Sequence, residues 1–227
     1  MINKKQRHKP DFLYEKKYWR NRYLVIGVDE VGRGAWAGPI VAGAVSIKLE
    51  NVSINWENIS INDSKKLPPK KRQELSKIIR RNALWGIGEV GVSHINRYGI
   101  ISATAKAMRQ AIANAKFKMQ NSKLHKNPRI FVLVDAFHIK YIPGVGLGNQ
   151  LAIIHGDQKS ISVAAASIIA KVYRDNLMTR LNRESKYKKY GWAQSKGYGT
   201  TDHQERIKKY GLTRFHRKEF IPKSLPG

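Results

Sequence analysis

Tyr23-Leu24-Val25-Ile26-Gly27-Val28-Asp29-Glu30 is the stretch that decides the fold. Its apolar part, Tyr23 to Val28, is β-rich and strand-length, and two acids follow it at once. The segment Gly32-Arg33-Gly34-Ala35-Trp36-Ala37-Gly38 then reads as a turn, and Ile40 to Ile47 as a second apolar strand. Pro39 stands at the entry to that second run, where a missing N–H does least harm. Neighbours in a regular strand face opposite ways, so Asp29 and Glu30 reach one site only if the pleat ends there. Gly32 and Gly34 give the chain the freedom to turn at that point.

Upstream, residues 1–22 read as a basic arm whose only acids are Asp11 and Glu15, with a helix expected around Leu13 to Trp19. Downstream, Asn62 to Pro69 is a polar loop, and Pro68 and Pro69 fit the start of an amphipathic helix over Lys70 to Arg81. Leu84 to Val92 suggests a strand. Ile101, Ala105, Met108, Ile112 and Ala115 fall at helical spacing, which predicts a helix from Tyr98 to Gln120. Asn127-Pro128 breaks the chain. Ile130 to Val134 is a dense apolar run ending at Asp135, the pattern of a buried strand. Leu151 to Ile154 reads as a short strand ending near Asp157, and Ser162 to Asp175 as a helix of compact residues suited to close packing. The basic segment Arg180 to Lys189, a Gly/Tyr loop at Gly197–Thr200 and a helix over Asp202 to Tyr210 complete the pattern. Strands followed by helices indicate one α/β domain, 23–190, between the arm and a short helical C-terminal extension, 191–227.

With 227 residues, 41% of them hydrophobic, the chain can build one well-packed core. Lys and Arg number 43 against 16 Asp and Glu, a net charge of +27, so a polyanionic partner is expected. Charge alone does not separate an enzyme from a histone-like, ribosome-associated or generic RNA-binding protein. The absence of cysteine excludes disulfides, thiolate zinc sites and cysteine nucleophiles. No apolar h-region follows the charged Met1–Pro10, so the expectation is a cytoplasmic protein with no membrane segment. A monomer is expected, since no apolar interface stripe stands out.

In a chain so short of acids, Asp29 and Asp135 at strand ends, with Glu30 and Asp157 beside them, look deliberate. A carboxylate against an apolar strand is costly to desolvate without compensation, and the carboxyl ends of strands in α/β sheets are where ligands bind. For any one acid, a strand-end cap or a partner for a nearby Arg or Lys remains the simpler reading. As a cluster they would repel one another without cations, and oxygen-only ligands favour magnesium or manganese. Two such ions can activate a water and stabilise the leaving oxygen of a phosphodiester. Gly32 to Gly38 misses the dinucleotide pattern by one place and leads into a strand, and no Walker A sequence is present. His94, His125, His138, His155, His203 and His216 show no metal-ligand spacing and read as surface or hydrogen-bonded side chains.

Gly27-Val28-Asp29-Glu30-Val31-Gly32-Arg33-Gly34 with Ala37-Gly38-Pro39 resembles the opening signature of the type 2 ribonucleases H, specifically the ribonuclease HII family. The resemblance continues in order: Asp63-Ser64-Lys65-Lys66-Leu67, Val134-Asp135-Ala136, Gly156-Asp157 and the helix from Ser162 to Asp175, then Lys196-Gly197-Tyr198-Gly199-Thr200, His203, and His216-Arg217 with Phe220. It spans roughly Leu24 to Phe220 and implies a ribonuclease H-like α/β fold, a mixed central sheet flanked by helices. It further implies that Asp29, Glu30, Asp135 and Asp157 are the catalytic metal ligands, that Gly32, Arg33 and Gly34 approach a ribose 2′-OH through backbone groups, and that Tyr198 packs on that sugar. Ser64 belongs to the family's polar loop, and Lys65, Lys66 and Lys171 are its phosphate contacts, although for any one lysine a solvated face fits as well. The implied substrates are RNA·DNA hybrids and duplex DNA holding ribonucleotides, cut on the 5′ side to leave a 3′-hydroxyl and a 5′-phosphate.

Asp175 competes for the fourth acid role but reads as structural, paired with Arg174 or Lys171. His155, Ala136-Phe137 and Lys218-Glu219 depart from the usual pattern without touching the proposed ligands. The related ribonuclease HIII carries an additional N-terminal domain, for which the stretch before Tyr23 is too short. A catalytically silent nucleic-acid-binding protein of the same fold is the alternative from a different class, and would be expected to show a broken acid quartet. The C-terminal Ser224-Leu225-Pro226-Gly227 has no aromatic clamp-binding motif.

Overall fold

The computed structural model describes residues 9–47, 54, 56, 59, 61, 64, 67–120 and 128–226, the side chains of 119 and 120 excepted. Five strands form one mixed sheet: β1 (Leu24–Val31), β2 (Ile40–Ser46), β3 (Leu84–Val90), β4 (Ile130–Asp135) and β5 (Gln150–Ile153), in the order β3-β2-β1-β4-β5. β1 pairs antiparallel with β2 and parallel with β4, so the expected mixed sheet flanked by helices is what the chain builds. The helices are α1 (Leu13–Trp19), α2 (Pro69–Asn82), α3 (Val92–Gln120), α4 (Ile161–Arg183), α5 (Ser185–Lys188), α6 (Trp192–Ser195) and α7 (Thr201–Tyr210).

One sheet face, through Ile26, Val28, Ala42 and Ala44, packs on Ala107, Met108, Ala111 and Ile112 of α3. The other is covered by α4, and α2 packs outside it. The compact sequence of α4 has a steric purpose. A Cβ on Gly27 would stand 2.2 Å from the Ser162 carbonyl carbon, and one on Gly43 2.3 Å from Ala166 O. Backbone therefore rests on backbone, and small residues are required on both sides.

Several boundaries differ from the sequence expectation. α3 begins six residues before Tyr98, and Gly99, at φ 78° and ψ 165°, kinks it. α4 runs eight residues past Asp175, into the basic segment. The pleat does not end at the acids. β1 stays in register with β2 through Glu30↔Ala42 and Val31↔Val41. Val25 and Val31 pack on the α4 side, while Ile26 and Val28 pack on the α3 side. Alternation therefore gives Asp29 to the α4 face and Glu30 to the opposite one.

Candidate active site

Parallel pairing of β1 with β4 runs from Leu24↔Ile130 to Val28↔Val134, which brings Asp29 and Asp135 side by side at the strands' carboxyl ends. Phe131 and Leu133 share the core that contains Val25 and Val163, so Asp135 alternates onto the α4 face as Asp29 does. The Asp29 carboxylate accepts from the Glu30 N–H at 2.7 Å, and Asp135 Oδ1 from the Gly156 N–H at 2.7 Å. That second bond ties β4 to the 3₁₀ turn Gly156–Gln158, which carries Asp157. The backbone turns into the left-handed region at Ala136 (φ 66°) and His155 (φ 56°), immediately after one acid and shortly before another. Non-glycine residues rarely take this conformation, and here it re-aims the chain beside the carboxylates.

Burial holds the Asp29 carboxyl well above the ordinary carboxylate range. The charges of Glu30 and Asp135 push it further, a hydrogen bond from Ser167 works against the shift, and Asp157 adds the least. Neither Asp29 nor Asp135 forms an ion pair among the described residues. Glu30 lies 4.0 Å from Arg33, whose guanidinium also sits 5.3 Å from the Phe137 ring, so the unusual Phe137 supports this arginine. Among the described residues, no three His, Asp or Glu side chains stand preassembled to hold a metal ion.

Ser64, expected at the substrate, is buried, and its Oγ lies 2.9 Å from Ser167 Oγ. Ser167 gives its proton to Asp29, so Ser64 donates to Ser167, and the pair backs the carboxylate from beneath. Lys171 holds Asp175 at 2.8 Å, with Arg72 at 3.5 Å on the other oxygen. Asp175 thus pairs with Lys171, one of the two partners expected, and with Arg72 in place of Arg174. Lys171 also stands 5.9 Å from the half-buried Tyr198 ring. Lys65 and Lys66, like Asp63 and His125, lie outside the described residues.

Gly32, Arg33 and Gly34 sit on a loop braced by two arginines whose role sequence reasoning missed. Arg174 donates to the carbonyls of Ala37, Pro39 and Lys196 at 2.8–3.0 Å. Arg217 donates to those of Gly32, Arg33 and Gly38 at 2.7–3.0 Å. Both side chains are fully buried without a carboxylate ion pair among the described residues, and burial, followed by repulsion from Arg174, lowers Arg217 to about 9. Gly32 has φ 89°, and a Cβ there would meet Arg174 Nε at 2.2 Å. The resemblance includes both, in the helix from Ser162 to Asp175 and in His216-Arg217, but their sequence setting gives no sign that they brace a loop.

The Tyr198 loop hangs on a histidine relay. The Trp192 indole donates to His203 Nε2 at 3.0 Å, which leaves the His203 proton on Nδ1, facing Tyr198 O at 2.9 Å. His216 Nδ1 accepts from the Thr213 N–H at 2.8 Å, so its proton is on Nε2, 3.2 Å from His203 Nε2. Burial lowers both histidines, and His203 helps bring His216 down to about 4. The two loops meet where the Trp36 and Ala37 N–H groups donate to Gly197 O at 2.8 and 3.0 Å.

By fold the molecule is a ribonuclease H-type protein. Ribonuclease H2 from Pyrococcus horikoshii OT3 superposes with a TM-score of 0.59 at 25% identity, over 86% of this chain and 92% of that one. Bst-RNase HIII in complex with Mn2+ superposes at 0.68 with 20% identity, over 88% and 68% of the two chains. In sequence, the ribonuclease HII of Caldanaerobacter subterraneus subsp. tengcongensis is 43% identical over 94% of this chain and 81% of its own length. The family model for ribonuclease HII matches residues 26–223, and the chain belongs to that family. It is a ribonuclease, a hydrolase with ribonuclease H endonuclease activity.

Proposed function

We propose that the protein cuts the RNA strand of RNA·DNA hybrids, and duplex DNA on the 5′ side of a single embedded ribonucleotide, leaving a 3′-hydroxyl and a 5′-phosphate. One observation carries the reading: a buried carboxylate, Asp29, lies among Glu30, Asp135 and Asp157 with no cation partner of its own among the described residues. Such a cluster calls for external positive charge, and its all-oxygen donor set fits magnesium or manganese. Asp29, Asp135 and Asp157 would hold two such ions, joined by Glu30 with its side chain turned back from the opposite face of β1, and Bst-RNase HIII has been seen with Mn2+. When bound, divalent cations supply charge to the scissile phosphate and lower the pKa of the attacking water.

The chain's own residues do the rest. Ser64 and Ser167 orient Asp29, and the Gly156 N–H orients Asp135. Arg217 occupies the Gly32 and Arg33 carbonyls from within, which leaves the loop's N–H edge for the ribose 2′-OH, the group that marks RNA. Tyr198, fixed through its carbonyl by His203, packs on that sugar. Lys65, Lys66 and Lys171 serve phosphates. We take the protein to work as a cytoplasmic monomer; among the described residues no helix is long and apolar enough to cross a membrane.

The test is a DNA duplex with one ribonucleotide, offered with magnesium or manganese to the wild type and to Asp135→Asn. Metal-dependent incision on the 5′ side, lost in the variant, is the expected result. Cutting confined to long RNA tracts would overturn the junction reading, and binding without cutting under either metal would overturn the catalytic one.

A further inference from the structure

A second basic feature lies outside the acid site. Between α2 and α4 runs an open cleft of about 460 Å³, lined among others by Gln73, Ser76, Lys77, Arg80, Tyr173 and Arg180. The Arg80 guanidinium carbon sits 4.5 Å from the centroid of Trp85, whose Nε1–H donates to Arg80 O at 3.1 Å. Ring and backbone therefore fix this arginine from two sides. Lys118 Nζ approaches the same ring at 3.0 Å. Burial lowers the pKa of both cations, and repulsion from Arg80 lowers Lys118 further.

Among the described residues, none of Lys77, Arg80, Lys118 and Arg180 has a carboxylate partner. Glu89, on β3, accepts from the hydroxyl of the cleft residue Tyr173 at 2.9 Å. Cations gathered without an anion suit an anion from outside. The cleft also has a definite position. Glu89 pairs with Val41, and Val41 with Val31, so Tyr173 stands two strand spacings, about 10 Å, from β1 at the same sheet end as the acids. Along α2, Gln73 to Arg80 spans about 10 Å, and the cations are spread over that length. A row of charges fits a strand better than one small anion, and about 10 Å of helix axis carries about three phosphates of one strand.

We propose that this cleft binds backbone phosphates of the nucleic-acid strand flanking the scissile bond. The proposal rests on the substrate reading above, and its test does not depend on cleavage. The exposed Lys77 and Arg180, which take no part in the acid site, are replaced together as Lys77→Gln and Arg180→Gln. Binding is measured without divalent metal, from about 50 to about 200 mM salt, for hybrids of about 6 and about 18 base pairs. For the long hybrid, the slope of log affinity against log salt should become shallower by about 1 to 2, with little change for the short one. The unfolding midpoint should stay at the wild-type value. An unchanged slope on the long hybrid overturns the proposal. Equal losses on both hybrids overturn it too, because these cations would then act at the acids and not on flanking strand. Since no cutting is required, a failed cleavage assay leaves this outcome readable.

Discussion

The acid end of the sheet and the loop braced from beneath by two arginines solve the same problem in opposite ways. Asp29 in the first and the two arginines in the second are buried charges with no ion-pair partner among the described residues, which is costly. Arg174 and Arg217 share six backbone carbonyls, so most of that charge is met inside the fold, with Arg217 Nη2 left over. Asp29 receives one serine hydroxyl and one backbone N–H, against three neighbouring carboxylates. The loop's charge is met largely from within the fold; on the proposed reading, the acid cluster is completed from outside it.

The comparison breaks most sharply at the acids. Asp29→Asn should lower cleavage by about three orders of magnitude or more, several kcal/mol of lost cation-assisted catalysis. The same variant should be at least as stable as the wild type in chelator. The sign follows from the shift: a carboxyl whose folded pKa is raised loses stability as pH rises through that pKa. The variant's advantage should therefore grow from acid to neutral pH, read from unfolding midpoints.

Arg217→Met should act the other way, costing about 2 to 4 kcal/mol by taking the donor from the Arg33 and Gly38 carbonyls and leaving Gly32 O only the Ala35 N–H, as measured by denaturant unfolding. The histidine relay sharpens the contrast with pH. His216 is held neutral, so the unfolded chain binds more protons between its ordinary pKa and about 4, and stability should fall as pH drops through that window. The loss should reach about 3 kcal/mol in the wild type and largely vanish in His216→Asn, compared over a pH series of melts.

The smallest effect belongs to Glu15. Its buried Oε1 accepts from Ser160 Oγ at 2.6 Å and the Ser162 N–H at 2.9 Å, so α1 caps the start of α4. Burial raises this carboxyl, so Glu15→Gln, which keeps the acceptor, should match or slightly exceed wild-type stability at neutral pH. Glu15→Ala should lose about 1 to 2 kcal/mol in the same melts.

What the sequence made legible follows one physical line. Apolar runs such as Tyr23–Val28 and Ile130–Val134 announce strands because their side chains must be buried, and acids at their ends are conspicuous in so basic a chain. The helix over Asp202–Tyr210 was visible within one residue, since Thr200 caps it through the His203 N–H at 3.3 Å. Hidden were features that depend on what lies across space. Arg174 and Arg217 look like any surface cation until six carbonyls surround them. Ser64 reads as a loop residue until Ser167 meets it, and Glu15 as an arm acid until α4 closes over it. The continued pleat at Glu30 was masked by the glycines after it, which suggested a turn one pair too early.

The central claim, that the acid cluster is completed by a divalent cation, is tested most directly by melting the protein in chelator and in excess manganese. At a hundredfold excess over its dissociation constant, manganese should raise the wild-type midpoint by about 5 to 10 °C. Asp135→Asn should lose most of that rise. A wild-type midpoint unmoved by manganese, or an equal rise in the variant, would contradict the account.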